Sequence, residues 1–150
     1  MLRAILTGFP VLVLCVALQA MFVSASLRGY AYFQANPRRT PITQWSYVRA
    51  LSAVMLLMLL GNFLQMAAWA VLFLLLGEFN DYSTALYHSA VNFSTLGYGD
   101  IVMSPRWRLL GPVEAANGIL MFGVSTAVMT AAVIDQLKFS RAKNPKNAPP

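Results

Sequence analysis

The chain has 150 residues, room for one domain, and is 58% hydrophobic with only 11% of its residues charged. An ordinary soluble domain is roughly 25% charged, so this balance excludes a soluble globular protein and points to a bilayer. The net charge of +6 would suggest nucleic acid in a soluble protein, but here the cations flank apolar stretches, and no nucleic-acid partner is expected.

The first apolar stretch, Ala4 to Leu27, exceeds the roughly 20 residues a helix needs to cross hydrocarbon. Arg3 before it and Ser24, Ala25 and Ser26 near its end also resemble a cleaved signal peptide. The apolar run is longer than the usual 7 to 15 residues of such a peptide, which favours a retained helix over residues 1–28. No arginine or lysine interrupts it, so no ladder of gating charges is expected to couple to membrane voltage. Its single cysteine, Cys15, reads as packing.

Residues 29–49 form the first connection, where Arg28 at its edge and Arg38, Arg39 and Arg49 within it meet no acid. Pro37 and Pro41 break it, leaving at most a short interfacial helix around Ile42 to Val48. The second apolar stretch, Ala50 to Gly77, carries Asn62 and Gln65 three apart, on one helix face. They are expected to bind the first helix or the short helix described next, as polar glue rather than as an ion path.

"DYSTALYHSAVNFS" follows, too short and polar to span, yet with Leu86, Ala90, Val91 and Phe93 near helical spacing and Ser83 as a suitable N-cap. This half-length helix, 82–94, runs directly into "TLGYGD", residues 95–100. Glycine reaches dihedrals closed to other residues, so Gly97 and Gly99 permit an unusual extended backbone. Such backbone is tolerated at membrane depth only where protein buries it or a water-filled path meets it, which reads as a re-entrant segment. A third apolar helix, 113–137, begins near Glu114, an acid suited to capping the positive end of the helix dipole. The tail, 138–150, is basic and proline-rich and is expected to be disordered or to lie against anionic lipid. The cation excess in the first connection and tail puts both in the cytoplasm, with the N-terminus and the second connection outside. The fold class is therefore an all-α membrane protein with three transmembrane helices and a re-entrant pore helix and loop between the second and third. Multi-pass residence in the cell membrane is expected.

"TLGYGD" resembles the selectivity filter of the potassium channel pore-domain family, and the order of helix, short helix, loop and helix over about Leu51 to Leu137 is similar to that family's. The first helix lies outside the resemblance. The resemblance implies a pore domain over 50–137 and potassium sites on the backbone carbonyls of Thr95, Leu96, Gly97 and Tyr98, with the Thr95 hydroxyl. It implies that Gly97 and Gly99 shape the backbone, that the Tyr98 ring packs outward, and that Asp100 sits at the outer mouth. One chain supplies one filter strand, so a homotetramer around the pore is implied. Potassium is then the permeant ion, and no cofactor is expected.

In the last helix, Gly118 resembles a gating hinge, with Gly123 a second candidate and close helix packing the alternative for both. Ser125 and Thr126 are candidates for the cavity lining, Thr126 the stronger. Leu96 replaces the family's usual valine, which leaves a weakly selective cation channel as an alternative function. Tyr87 and His88 stand where many members carry two aromatics, and Val91 where some carry an acid. Proton sensing by His88 is set against simple packing, the expected role. A non-conducting pore-loop subunit is the other alternative, opposed by the intact motif. The tail is expected to be too short for a soluble ligand-binding domain. An enzyme is not expected: the only histidine is His88, no His-Glu-x-x-His or glycine-flanked serine occurs, and "GYGDIV" lacks the third glycine of a dinucleotide fingerprint.

Overall fold

The structure is a computed structural model that describes residues 2–35 and 44–143. Four helices follow in chain order: α1 (Leu2–Ala35), α2 (Gln44–Leu75), α3 (Tyr82–Phe93) and α4 (Leu110–Lys143). Among the described residues there is no strand, and three segments are long and apolar enough to span a bilayer: Leu2–Tyr32, Val48–Leu75 and Leu110–Gln136. The protein is thus an all-α membrane protein. At 1.5 Å per residue the 12 residues of α3 extend about 18 Å, well short of a hydrocarbon core about 30 Å thick.

Two boundaries differ from the sequence reading. Gln44 to Val48 are the first turns of α2 rather than a separate interfacial helix, while residues 36–43 lie outside the described residues. The last helix runs from Leu110 to Lys143, so the first residues of the basic tail continue it, and only 144–150 fall outside the described residues. Pro112 sits in the first turn of α4, where its missing N–H has no intrahelical partner to lose.

Because lipid tails are as apolar as leucine, helices in a bilayer gain little from burying apolar surface and depend on close packing and polar contacts. Both are present. A Cβ on Gly8 would lie 2.9 Å from Leu110 and 3.4 Å from Trp69, and one on Gly61 would lie 3.1 Å from the Phe22 ring. Small residues therefore let α1 lie against α2 and the start of α4. Between the helices, Trp69, Phe73, Phe93, Leu110 and Cys15 are fully buried. Phe73 meets Trp69 and Phe79 at ring separations of 5.9 and 6.3 Å, and His88 of α3 closes the cluster at 5.5 Å from Phe73 and 5.0 Å from Phe79. Asn62 and Gln65 are buried as well, and the Gln65 amide donates to Gln19 of α1 at 2.8 Å, the contact expected of that polar pair.

Candidate functional site

The loop after α3 is set by how two helices end. At α2, Gly77 N–H reaches the Leu74 carbonyl and Glu78 N–H the Phe73 carbonyl, with Gly77 left-handed at φ 73°. This is the Schellman closure, in which glycine is the usual residue. At α3 the same closure recurs: Thr95 N–H bonds the Asn92 carbonyl at 2.8 Å and Leu96 N–H the Val91 carbonyl at 2.9 Å. Here the left-handed residue is Thr95, at φ 60°. It is the one non-glycine residue with positive φ among those described, and a β-branched side chain there is strained. Strain of this kind persists only where surrounding structure over-determines it, and such sites cluster at function.

Gly97 and Gly99 follow at φ 59° and 72°, so every second residue from Thr95 to Gly99 is left-handed. Alternating handedness turns successive peptide N–H groups to one side of the strand and the carbonyls to the other. The N–H groups of Leu96 and Gly97 both point back to the Val91 carbonyl, at 2.9 and 3.3 Å. A Cβ on Gly97 or Gly99 would meet no atom within 4 Å; what requires glycine is the backbone angle. Residues 94–100 are all exposed on the single chain, Leu96 by 54% and Tyr98 by 65%.

Side chains hold this loop at both ends. The Tyr87 hydroxyl donates to Asp100 Oδ2 at 2.7 Å, which lowers the Asp100 pKa and raises that of Tyr87. His88 bridges the next residue: Asn92 Nδ2 donates to His88 Nε2 at 2.8 Å, and Nδ1 faces the Ile101 carbonyl at 3.0 Å. A carbonyl only accepts, so Nδ1 carries the proton and the ring is the neutral tautomer. Burial lowers the pKa of His88, opposed by the Ile101 carbonyl and by Asp100 and Glu78. Glu78, just past the end of α2, takes the backbone N–H of Ser104 at 2.6 Å and its hydroxyl at 2.7 Å, tying the descending loop to the top of α2. A cavity of about 230 Å³ remains behind the loop, between His88, Asn92 and Gly97 on one side and Arg108 and Gly111 on the other.

Two expected caps are corrected. Asp81, with extended backbone at φ −135°, caps α3 and accepts from Thr84 N–H at 2.8 Å; Ser83 is already inside the helix. A carboxylate at this position also faces the positive end of the helix dipole. Glu114 does not cap α4, which begins four residues earlier. It is fully buried, and the Ser89 hydroxyl of α3 sits between its Oε1 and the Met66 carbonyl of α2, so this acid joins three helices.

Below the loop, Gly118 of α4 lies against the end of α3. A Cβ there would stand 1.9 Å from the Phe93 carbonyl oxygen and 2.8 Å from its carbon. Close packing accounts for this glycine. Gly123 has nothing within 4 Å of a Cβ position and is exposed. Thr126 is exposed too, whereas Ser125, expected on a cavity, is 3% exposed, with its hydroxyl among Gln19, Asn62 and the Met121 carbonyl. Residues 95–100 and Gly118 are thus brought together around the end of α3, and Ser125 is not among them. Sequence reasoning missed Gln19, a lone amide in an apolar run, and Tyr87 as the partner of Asp100.

Neither the curated proteins nor the solved structures compared with the chain gave a match. Residues 60–135, just over half of the chain and spanning the second half of α2, all of α3, the strained loop and most of α4, match the family model described as ion channel. The match covers the two spanning helices α2 and α4 in part and the short helix and loop between them in full, and the chain belongs to this ion channel family.

Proposed function

We propose that this ion channel is potassium-selective and that its filter is the backbone of residues 95–100, contributed by each of four identical chains. The observation that carries this reading is the run of left-handed backbone at Thr95, Gly97 and Gly99, the first of them a threonine where such a helix closure ordinarily takes glycine. A cation that sheds its water needs oxygens in its place, in several sites close enough for neighbouring ions to repel one another onward. The carbonyls of Thr95, Leu96, Gly97 and Tyr98 and the Thr95 hydroxyl supply them in this reading. Asp100 then concentrates cations at the outer mouth.

The assembly follows from the same strand. One chain offers one row of carbonyls, and the exposure of Leu96 and Tyr98 leaves apolar and aromatic surface for neighbouring copies to cover. The loop lies on the outer side and α3 is re-entrant, with the N-terminus outside, α1 retained and the basic C-terminus against anionic lipid in the cytoplasm, as the cation distribution favours. Weaker discrimination among cations is the second reading. It is favoured by Leu96 in place of the usual valine, with its side chain exposed on the single chain, and by the cavity behind the loop.

The test is the reversal potential of the purified protein in planar bilayers with potassium on one side and sodium on the other. A value near the potassium equilibrium potential is expected. Gly97→Ala, which forces a side chain onto φ 59°, should abolish that selectivity while the oligomer still assembles. Current with a reversal near zero would support the second reading. Wild-type selectivity in Gly97→Ala would remove residues 95–100 from the ion path.

A further inference from the structure

Helix α4 has a locally weak turn between Met121 and Ser125. Gly123 lies in its middle, where glycine is unfavourable, and no atom of its own chain approaches a Cβ position there within 4 Å. The Ser125 hydroxyl donates back to the Met121 carbonyl at 2.9 Å, a bond that competes with the helical ladder and bends helices.

Helix α1 reaches this turn. Gln19 Nε2 lies 3.1 Å from Ser125 Oγ and 3.4 Å from the Met121 carbonyl, so one amide grips both ends of the turn that contains Gly123. Its own carbonyl accepts from Gln65 at 2.8 Å, and Asn62 donates to Ser125 Oγ at 3.4 Å. All four side chains are 3% exposed or less. In hydrocarbon an amide without a partner is costly, so Gln19 has good reason to stay where it is. Two acceptors beside it, Gln65 Oε1 and Asn62 Oδ1, are buried and have no partner. They are acceptors to which the Gln19 amide or the Ser125 hydroxyl could turn if the helices shifted. The grip is also mechanically backed, since Gly61 of α2 brings the Phe22 ring, one turn beyond Gln19, into close contact.

We propose that α1 controls gating of this channel: Gln19 latches α4 straight across Gly123, and release of the latch lets α4 bend. The continuous helix Leu110–Lys143 is the latched state. The proposal rests on α4 bordering the conducting path, as the reading above requires, and it assigns a role to the helix that lies outside the matched region.

The test is a double-mutant cycle on single-channel gating in planar bilayers, with Gln19→Met, Ser125→Ala and the double variant. Methionine keeps the length of the side chain and removes its hydrogen bonds. Gln19→Met should shift the open-to-closed ratio by roughly three- to tenfold, the scale of one buried hydrogen bond, and Ser125→Ala, which removes the latch acceptor but also the bond that bends α4, by less. The double variant should shift it no further than Gln19→Met alone, and the reversal potential should not move. An unchanged ratio, or shifts that simply add, would overturn the latch. If the wild-type protein passes no current, the conduction reading fails by itself, and hydrogen exchange in detergent decides the latch: Gln19→Met must raise deuterium uptake around residues 121–126. Uptake equal to wild type there would overturn it.

Discussion

Replacing Gly118 by alanine tests whether α4 is fastened to the end of α3. The new methyl carbon would stand 1.9 Å from the Phe93 carbonyl oxygen, 2.8 Å from its carbon and 3.1 Å from its Cα. Carbon and carbonyl oxygen approach no closer than about 3.3 Å, so the backbones must part by more than about 1 Å. No side chain can rotate away, because the obstacle is main chain, two residues before Thr95. Overpacking typically costs about 1–3 kcal/mol, and a backbone obstacle argues for the upper end, about 3 kcal/mol. At roughly 2–4 °C per kcal/mol for a chain of this size, Gly118→Ala should melt about 6–12 °C below wild type in detergent. Because the displaced atom belongs to the last residue of α3, which leads into the loop, selectivity in the bi-ionic assay should degrade too. Gly123→Ala is the control: with nothing within 4 Å, it should gain helix propensity of about 1 kcal/mol and melt slightly higher. A Gly118→Ala protein that melts within a degree or two of wild type and keeps its reversal potential would refute the packing. A shift in open probability with unchanged melting would instead restore Gly118 as a hinge.

Tyr87→Phe removes the donor that holds the Asp100 carboxyl below the ordinary aspartate range. The folded pKa lies below the unfolded one, so this bond's contribution is present above about pH 3.9 and is lost as pH falls through the folded value. Without the hydroxyl, Asp100 should titrate at higher pH, and block of conductance by external acid should move up with it; an unmoved acid limb would mean the bond is not made in the membrane. Thr95→Gly relieves a left-handed β-branched residue at φ 60° and should raise stability by about 1 kcal/mol while removing the hydroxyl from the ion path. A thermal scan paired with the reversal potential reads both effects, and a less stable protein would contradict the strain.

The spanning helices, the short helix and the unusual loop were legible because each rests on a local signal: run length, spacing and paired glycines. The contact of Gln65 with α1 was legible for a related reason, since a buried amide in hydrocarbon needs a partner. What the residues did not disclose was register between helices. Ser125 and Thr126 are neighbours on α4, and only the position of α1 decides that Ser125 faces inward to Gln19 while Thr126 is exposed. Nothing in an apolar run such as α1 states which groove it will occupy. Ser83 and Asp81 are both good caps, and the choice depends on where the chain turns after Gly77. Glu114 reads as a cap when the helix is taken from 113; α4 begins at Leu110 with Pro112 in its first turn, which puts the acid one turn inward, against Ser89.

The strain at Thr95 explains why so many unrelated contacts converge on α3. A left-handed threonine would relax if the end of that helix were free, since the closure it makes is the one Gly77 makes without strain. It is not free. Phe93 is pinned by Gly118, Ser89 is held between Glu114 and Met66, and beyond the loop Asp100 and Ile101 are held by Tyr87 and His88. The two groups of restraints differ in kind. Those before the loop are buried packing and a buried acid, which respond to movement of α2 and α4; those beyond it are a buried imidazole and an exposed carboxylate, of which the carboxylate faces the solution. The strained loop is therefore held by two kinds of contact, buried packing through Phe93 and Ser89 and an exposed carboxylate at Asp100. Substitutions at Gly118 and at Tyr87 should act on it independently, because they share no partner. Strongly non-additive effects on selectivity in the double variant would mean that the strand is held as a single unit.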